Sequence, residues 1–297
     1  MIIVFGSINL DIVTRTARIP GPGETVKGET YQLIPGGKGA NQALAAKRAG
    51  SDTMMVGAVG SDAFADLALD NLQRDGVELT QLGRVADPTG IANITVDASG
   101  ENAIVVASGA NSKALASQLD GLGPVQGFLL TQNEVLEEET LKAHAKAKQL
   151  GLTTIHNLAP ANKLDREALG LIDWLVVNET EALIVADGAG ISTGSDSVKA
   201  ARALAEQTRH NVIVTLGNKG AYSFGPAGDH HGKALAVEVV DTTAAGDSFT
   251  GAFAAALDQG FGIADALSRA SVAGSLACTV FGAQPSIPDK NAIDAAS

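Results

Sequence analysis

Aromatic side chains are scarce in this 297-residue chain, at 4% with one Trp and two Tyr, so stacking platforms for a flat ligand are few. A single cysteine, Cys278, excludes an internal disulfide. Cations are also short. Lys and Arg number 21 against 33 Asp and Glu, and the net charge of −12 repels phosphate backbones and anionic lipid. Nucleic-acid and membrane partners are therefore not expected. No apolar run approaches the roughly 20 residues that cross a bilayer. The opening Met1-Ile-Ile-Val-Phe has no basic segment, long apolar stretch and small-residue cleavage site behind it, so the expected compartment is the cytosol.

Common catalytic signatures are missing too. Gly21-Pro-Gly23 leads to Val26 and Gly37-Lys-Gly39 leads to Gln42, where a dinucleotide fingerprint needs a third small residue. No Gly-Lys-Ser/Thr completes a P-loop, the five histidines have no zinc-helix spacing, and no Gly-x-Ser-x-Gly elbow occurs. These absences count against hydride transfer, Walker-type ATPase and serine hydrolase chemistry.

What the chain has is a globular composition, 45% hydrophobic and 18% charged. Short β-rich apolar runs alternate with longer helical patterns, the mark of βαβ units on a mainly parallel sheet. Strands are predicted at 2–5, 53–59, 128–131, 153–157, 174–177 and 212–216. Helices are predicted at 41–49, 62–75, 137–150, 179–186, 196–208, 248–258 and 263–279. The first two close on Gly50 and Gly76, the usual glycine beyond a helix end. Segments 12–34 and 89–107 break the alternation and read as hairpins; in the second, Ile94-Thr95-Val96 faces Ala103-Ile104-Val105-Val106. A small projecting sheet is expected there. Lacking its own helix, it needs a ligand or a second subunit against its apolar face.

The strongest segment is Asp241-Thr-Thr-Ala-Ala-Gly-Asp247-Ser-Phe-Thr-Gly-Ala-Phe253, a strand end, a small-residue turn and an apolar helix. Ala244, Ala245 and Gly246 have no side chains to block an anion, so their N–H groups, with the helix N-terminus behind them, suit a negatively charged transferring group. Asp247 stands at the same point. A carboxylate beside an anion cradle is the pairing needed when a hydroxyl loses its proton while attacking a phosphoryl group. The plain alternative is a helix cap.

This segment resembles the signature of the ribokinase family, the PfkB-type carbohydrate kinases. The resemblance runs through Gly6-Ser-Ile-Asn-Leu-Asp11, Pro22-Gly-Glu-Thr-Val26, Gly36-Gly-Lys-Gly-Ala-Asn-Gln42, Gly57-Ala-Val-Gly-Ser-Asp62, Gly109-Ala-Asn111, Asn178-Glu-Thr-Glu181, Thr215-Leu-Gly217 and Gly282-Ala-Gln-Pro-Ser286. It implies one domain over 1–297, a three-layer α/β/α sandwich with a mainly parallel sheet, and a small β-sheet lid formed from about 12–34 and 89–107.

Residue by residue, the resemblance makes Asn9 and Asp11 sugar binders, with Asp11 accepting from two adjacent hydroxyls. Two apart on extended chain, they point to one side; the alternative is an Asx turn. Gly37, Lys38 and Asn41 are implied at the sugar, as is Glu134, against the plain readings of a glycine turn and an exposed loop glutamate. Asp247 is implied as catalytic base and sugar contact, with Ala244, Ala245 and Gly246 as the anion cradle.

Asn178 and Glu181, at the carboxyl end of a strand, are implied to organise Mg²⁺ largely through water; the alternative is a favoured helix start. Thr215, Gly217, Gly220, Gly246 and Ser271 are implied at the nucleotide, Ser271 standing where relatives carry Asn or His. Asn93 and Ala65 also depart from the family pattern.

The implied activity is transfer of the γ-phosphoryl group of MgATP to the primary hydroxyl of a pentose, D-ribose giving ribose 5-phosphate. Rivals are a kinase for 2-deoxyribose, another sugar or a nucleoside, and a sugar-binding protein without turnover. The lid offers only Tyr31 for stacking on a purine, which favours free pentoses. A lid-to-lid homodimer is expected. K⁺ is expected as an activator, held by Asp241 and Ser286 with carbonyl oxygens of Thr243, Ala277, Val280 and Gly282. No Lys or Arg lies between residues 234 and 268 to meet the Asp241 charge; the alternative is an Asp that caps a turn.

Overall fold

The computed structural model describes residues 1–123, 125–162, 164 and 166–297. Its strands are β1 (Ile2–Phe5), β2 (Asn9–Thr16), β3 (Gly28–Gly36), β4 (Thr53–Gly60), β5 (Leu82–Val85), β6 (Gly90–Val96), β7 (Asn102–Ala107), β8 (Phe128–Thr131), β9 (Thr153–Asn157), β10 (Trp174–Asn178), β11 (Asn211–Thr215), β12 (Ala221–Phe224) and β13 (His230–Gly232). The helices are α1 (Lys38–Arg48), α2 (Ala63–Arg74), α3 (Glu137–Leu150), α4 (Arg166–Leu169), α5 (Glu179–Gly188), α6 (Ser197–Thr208), α7 (Ala245–Asp258), α8 (Ile263–Ala277), α9 (Ala283–Ser286) and α10 (Lys290–Ala296). Among the described residues no helix is long and apolar enough to cross a membrane.

Nine strands form the main sheet in the order β13-β12-β11-β10-β9-β8-β1-β4-β5. It is parallel from β11 through β5, while β12 and β13 run antiparallel at one edge. Successive side chains on a strand point to opposite faces, and β1 shows the result. Ile2 and Val4 join a core with α1, α2, α7 and α8, whereas Ile3 and Phe5 pack on the other face with α3. Leu175 and Val177 of β10 and Val212 and Val214 of β11 continue that second face under α5 and α6. The expected three layers are present.

A separate four-stranded sheet has the order β3-β2-β6-β7. Its hairpins are those expected, with Ile94 opposite Ile104 and Thr95 opposite Ala103. They join through parallel pairing of β2 with β6, from Asn9 opposite Gly90 to Arg15 opposite Val96. The first segment starts earlier than position 12, because β2 begins at Asn9 directly after β1.

Two helix starts also move forward. α1 begins at Lys38 and not at 41, since Gly37, at φ 89°, is already the N-cap and puts the glycine turn inside the first helical turn. α7 begins at Ala245 and not at 248, because Ala244 takes the left-handed φ of 60° and Asp247 becomes the third helical residue. The edge strands β5 and β13, and β12 next to β13, were not predicted. Their sequences, Leu-Gly-Arg-Val, Ala-Tyr-Ser-Phe and His-His-Gly, lack the continuous apolar run that marks the equally short β1 and β8.

Candidate active site

The carboxyl ends of the parallel strands meet the N-termini of α1 and α7, the position where open α/β sheets hold ligands. One wall is built from β2, the turn into α1 and the segment after β8. Asn9 is buried, and its Oδ1 accepts from Asn111 Nδ2 at 2.7 Å. Asn111 also exchanges bonds with both main-chain groups of Ile8, at 2.8 and 3.1 Å, so it clamps the start of β2. Gly37 approaches the same strand so closely that a Cβ there would lie 2.7 Å from the Asn9 nitrogen. Glu134 Oε2 accepts from Ser7 Oγ at 2.5 Å and from the Lys38 N–H at 3.0 Å, while Ser7 Oγ accepts from the Gly39 N–H at 3.3 Å. The glycine turn is thereby locked to the acidic residue after β8.

Asp247 lies where this wall reaches α7. Its Oδ2 accepts from Asn41 Nδ2 and its Oδ1 from Gln42 Nε2, both at 3.0 Å. The carboxylate is held from α1, across the site, which removes the plain reading as a helix cap. Gly251, one turn further along α7, allows the approach: a Cβ there would stand 2.6 Å from both Ala45 Cβ and the Gln42 carbonyl oxygen. Asn41 Oδ1 is buried without a partner, an acceptor left over once its amide nitrogen is used by Asp247.

The charges of this wall act on one another. Burial, then Glu134 and Asp247, push the Asp11 carboxyl up to about 7, with Lys38 opposing. Burial opposes the charge on Lys38, but Asp247, Glu134, Glu181 and Asp11 hold its ammonium above the ordinary lysine range. Glu181 is raised by burial and by Asp247, against the Asn178 N–H and Lys38. Four carboxylates thus surround one ammonium, an excess of negative charge that suits cationic company.

The second wall is a cavity of about 510 Å³ lined by Thr215, Gly217, Gly220, Ser271, Ala245 and Gly246, with Phe249 at its side. Position 246 faces open space, because a Cβ there would meet nothing within 4 Å. The cradle is smaller than expected. The left-handed turn at Ala244 folds the chain back so that the Ala245 N–H donates to the Thr242 carbonyl at 3.2 Å and is taken. Ser271 Oγ bonds the Gly232 carbonyl at 3.3 Å.

At the end of β10, Asn178 Oδ1 accepts from the Glu181 N–H at 2.9 Å and Glu181 Oε2 from the Asn178 N–H at 2.8 Å. This reciprocal capping box realises the favoured helix start, and the same Glu181 feels Lys38 and Asp247. Among the described residues no three His, Cys, Asp or Glu cluster to hold a metal.

Asp241 differs from its reading as a charge without a partner. Its Oδ1 accepts from the Thr243 N–H at 2.9 Å and hydroxyl at 2.7 Å, and its Oδ2 from the Gly282 N–H at 2.8 Å. Although burial raises it, these bonds hold the carboxyl below its ordinary range. These bonds tie the turn before α7 to the C-terminal segment. Among the described residues Asp241 makes no ion pair with a basic side chain. Ser286 Oγ donates to the Ala283 carbonyl at 2.7 Å, and the Cys278 carbonyl accepts the N–H groups of Val240 and Asp241. Ala277 ends α8, and Val280 lies in the link from α8 to Gly282.

Sequence reasoning assigned no role to Ser7, Gln42, Asn111 or Gln132. Each is polar yet at most 1% exposed. The one signal available was that Ser7, Gln42 and Asn111 fall inside matched motifs.

The chain matches the model of the pfkB family carbohydrate kinases over residues 1–290. It is 36% identical over 296 residues to the ribokinase of Lactococcus lactis, covering 98% of this chain and 95% of that one. Among solved structures, Thermotoga maritima ribokinase superposes with a TM-score of 0.91 at 36% identity, covering 99% of this chain and 98% of that one. Arabidopsis thaliana ribokinase complexed with ribose and ATP gives 0.88 at 32% identity, covering 99% and 97%.

Proposed function

The chain belongs to the pfkB family of carbohydrate kinases, and from this premise we infer that it transfers the γ-phosphoryl group of ATP to the primary 5-hydroxyl of D-ribose. The products are D-ribose 5-phosphate and ADP. The observation that carries the reading is Asp247, held by two amides at the start of α7 where the acidic wall meets the nucleotide-sized cavity. Asn9, Asp11, Lys38, Asn41, Glu134 and the Gly37 backbone receive the sugar. Asp247 takes the proton of the attacking hydroxyl as its oxygen bonds to the γ-phosphorus and the bond to the β-phosphate bridging oxygen breaks. With the Ala245 N–H bonded to Thr242, the N–H groups of Ala244 and Gly246 are the ones that receive the transferring group, and Thr215, Gly217, Gly220 and Ser271 line the nucleotide side.

Mg²⁺, when bound, neutralises charge on the phosphates, and Asn178 and Glu181 are the residues that hold its water shell. The small sheet serves as a lid that excludes water from the sugar. Its edge strands expose Tyr31, Leu33, Ile104, Val105 and Val106, a face for a second copy in a two-fold dimer; light scattering at micromolar concentration tests this, and a 30.1 kDa monomer alone would rule it out. The whole chain acts as one catalytic domain in the cytosol.

A phosphorylation screen of the purified chain with MgATP over D-ribose, 2-deoxyribose, fructose and ribonucleosides tests the reading. Ribose is expected to give the highest kcat/KM. Preference for a nucleoside or for deoxyribose moves the assignment within the family, and no turnover on any of them removes it.

A further inference from the structure

Two buried amides outside the residues assigned above run from Asp247 into the core. Gln42 Nε2 donates to Asp247 Oδ1 at 3.0 Å, and Gln132 Nε2 donates to Gln42 Oε1 at 2.7 Å. A carboxylate only accepts, so Gln42 turns its NH₂ to Asp247, and its carbonyl then accepts from Gln132. Asp247 thus sets the orientation of both amides. The far end of the relay is an orphan, since Gln132 Oε1 is buried without a partner and lies 2.0 Å from where a Cβ on Gly6 would stand. An unpaired buried carbonyl is a cost that an apolar side chain of the same size avoids. Packing alone does not account for two glutamines here.

Asp247 does account for them. A side chain in the first turn of a helix can bend back onto its own N–H groups, but Asn41 and Gln42 each hold one carboxylate oxygen and fix its plane. Each oxygen keeps a lone pair for a further proton or hydrogen bond. Gln132 follows the last residue of β8 and precedes Glu134 by two residues, so the relay also ties the carboxylate to the strand end that carries the sugar wall. We propose that Gln42, oriented by Gln132, is a positioning residue that holds Asp247 in line with the sugar hydroxyl whose proton it takes. This rests on the reading of Asp247 as the base.

Gln42→Met keeps the side-chain volume and removes the donor. Assayed on the full chain with ribose and MgATP, it is expected to lower kcat by about 10- to 100-fold, the scale of a displaced reacting group, with both KM values little changed. In an Asp247→Asn background the same substitution is expected to cost nothing further, because the carboxylate it positions is gone. Gln132→Met should show the same pattern with a smaller loss, and it carries the test should Gln42→Met not fold. Wild-type kcat in these variants, an equal loss in both backgrounds, or failure of both variants to fold overturns the proposal. Asp247→Asn that keeps more than about a tenth of wild-type turnover overturns the base reading instead, so the two failures are distinct.

Discussion

Asp11→Asn is expected to stabilise the ligand-free protein while damaging the reaction. Burial, Glu134 and Asp247 move the Asp11 carboxyl from 3.8 to about 7. In the unfolded chain it ionises near 3.8, so between the two values the unfolded state has released a proton that the folded state keeps. Stability therefore falls as pH rises through that window and stays lowered above it. The displacement corresponds to about 4 kcal/mol at most. Asp11 is only partly buried and Lys38 lies near, so screening reduces the recoverable part to about 1–2 kcal/mol, a rise of roughly 2–4 °C in Tm. Thermal melts of wild type and Asp11→Asn without ligand, at pH 5 and pH 8, read this directly. The variant should melt higher at pH 8, with most of the gain gone at pH 5. Its KM for ribose should rise about tenfold or more, the effect of losing a charged acceptor, with the KM for MgATP little changed. A variant that melts below wild type at pH 8, or gains equally at both pH values, would refute the reasoning.

Asp247→Asn should lower kcat by about 10²- to 10⁴-fold, the range for a lost general base, with ribose binding by calorimetry retained. Potassium is expected to raise activity above sodium at matched ionic strength, through Asp241, Ser286 and the carbonyls of Thr243, Ala277, Val280 and Gly282; titrating KCl against NaCl checks it, and identical curves, or a K⁺ effect that survives Asp241→Ala, would rule the site out. His144 and His156 share the Thr131 hydroxyl at 2.7 and 2.8 Å, and burial lowers His144 to about 4 and holds His156 well below the ordinary histidine range. The unfolded chain gains protons below about 6.5 that these rings refuse, so stability falls on acidification. Urea midpoints should drop by the equivalent of about 2 kcal/mol for His144 between pH 7 and pH 5, and His144→Gln should flatten that slope.

Local physics carried the sequence reading a long way. Helix 137–150 and strands 2–5, 128–131 and 153–157 needed only periodicity and the polar or glycine residues that end them, and the hairpin 89–107 needed only alternation across a turn. Backbone sterics at single residues moved the starts of α1 and α7, where Gly37 and Ala244 take positive φ and begin each helix three residues early. Strands β5, β12 and β13 stayed hidden because they carry no continuous apolar run of the kind that marks the equally short β1 and β8.

The sequence by itself determined the α/β class and the order of the main elements, since these depend on side-chain period and on turn residues a few positions apart. Only the tertiary structure decided how those elements act on one another. The hold that α1 has on both Asp247 oxygens was not legible in the sequence, and neither were the Gly282 and Thr243 donors that meet the Asp241 charge. Gln132 and Ser7 were two polar residues at strand ends until folding placed one behind Gln42 and the other on Glu134. Hydrogen bonds and electrostatic shifts of this kind join residues distant in the chain, and they exist only once burial has removed the water that would otherwise satisfy each group separately.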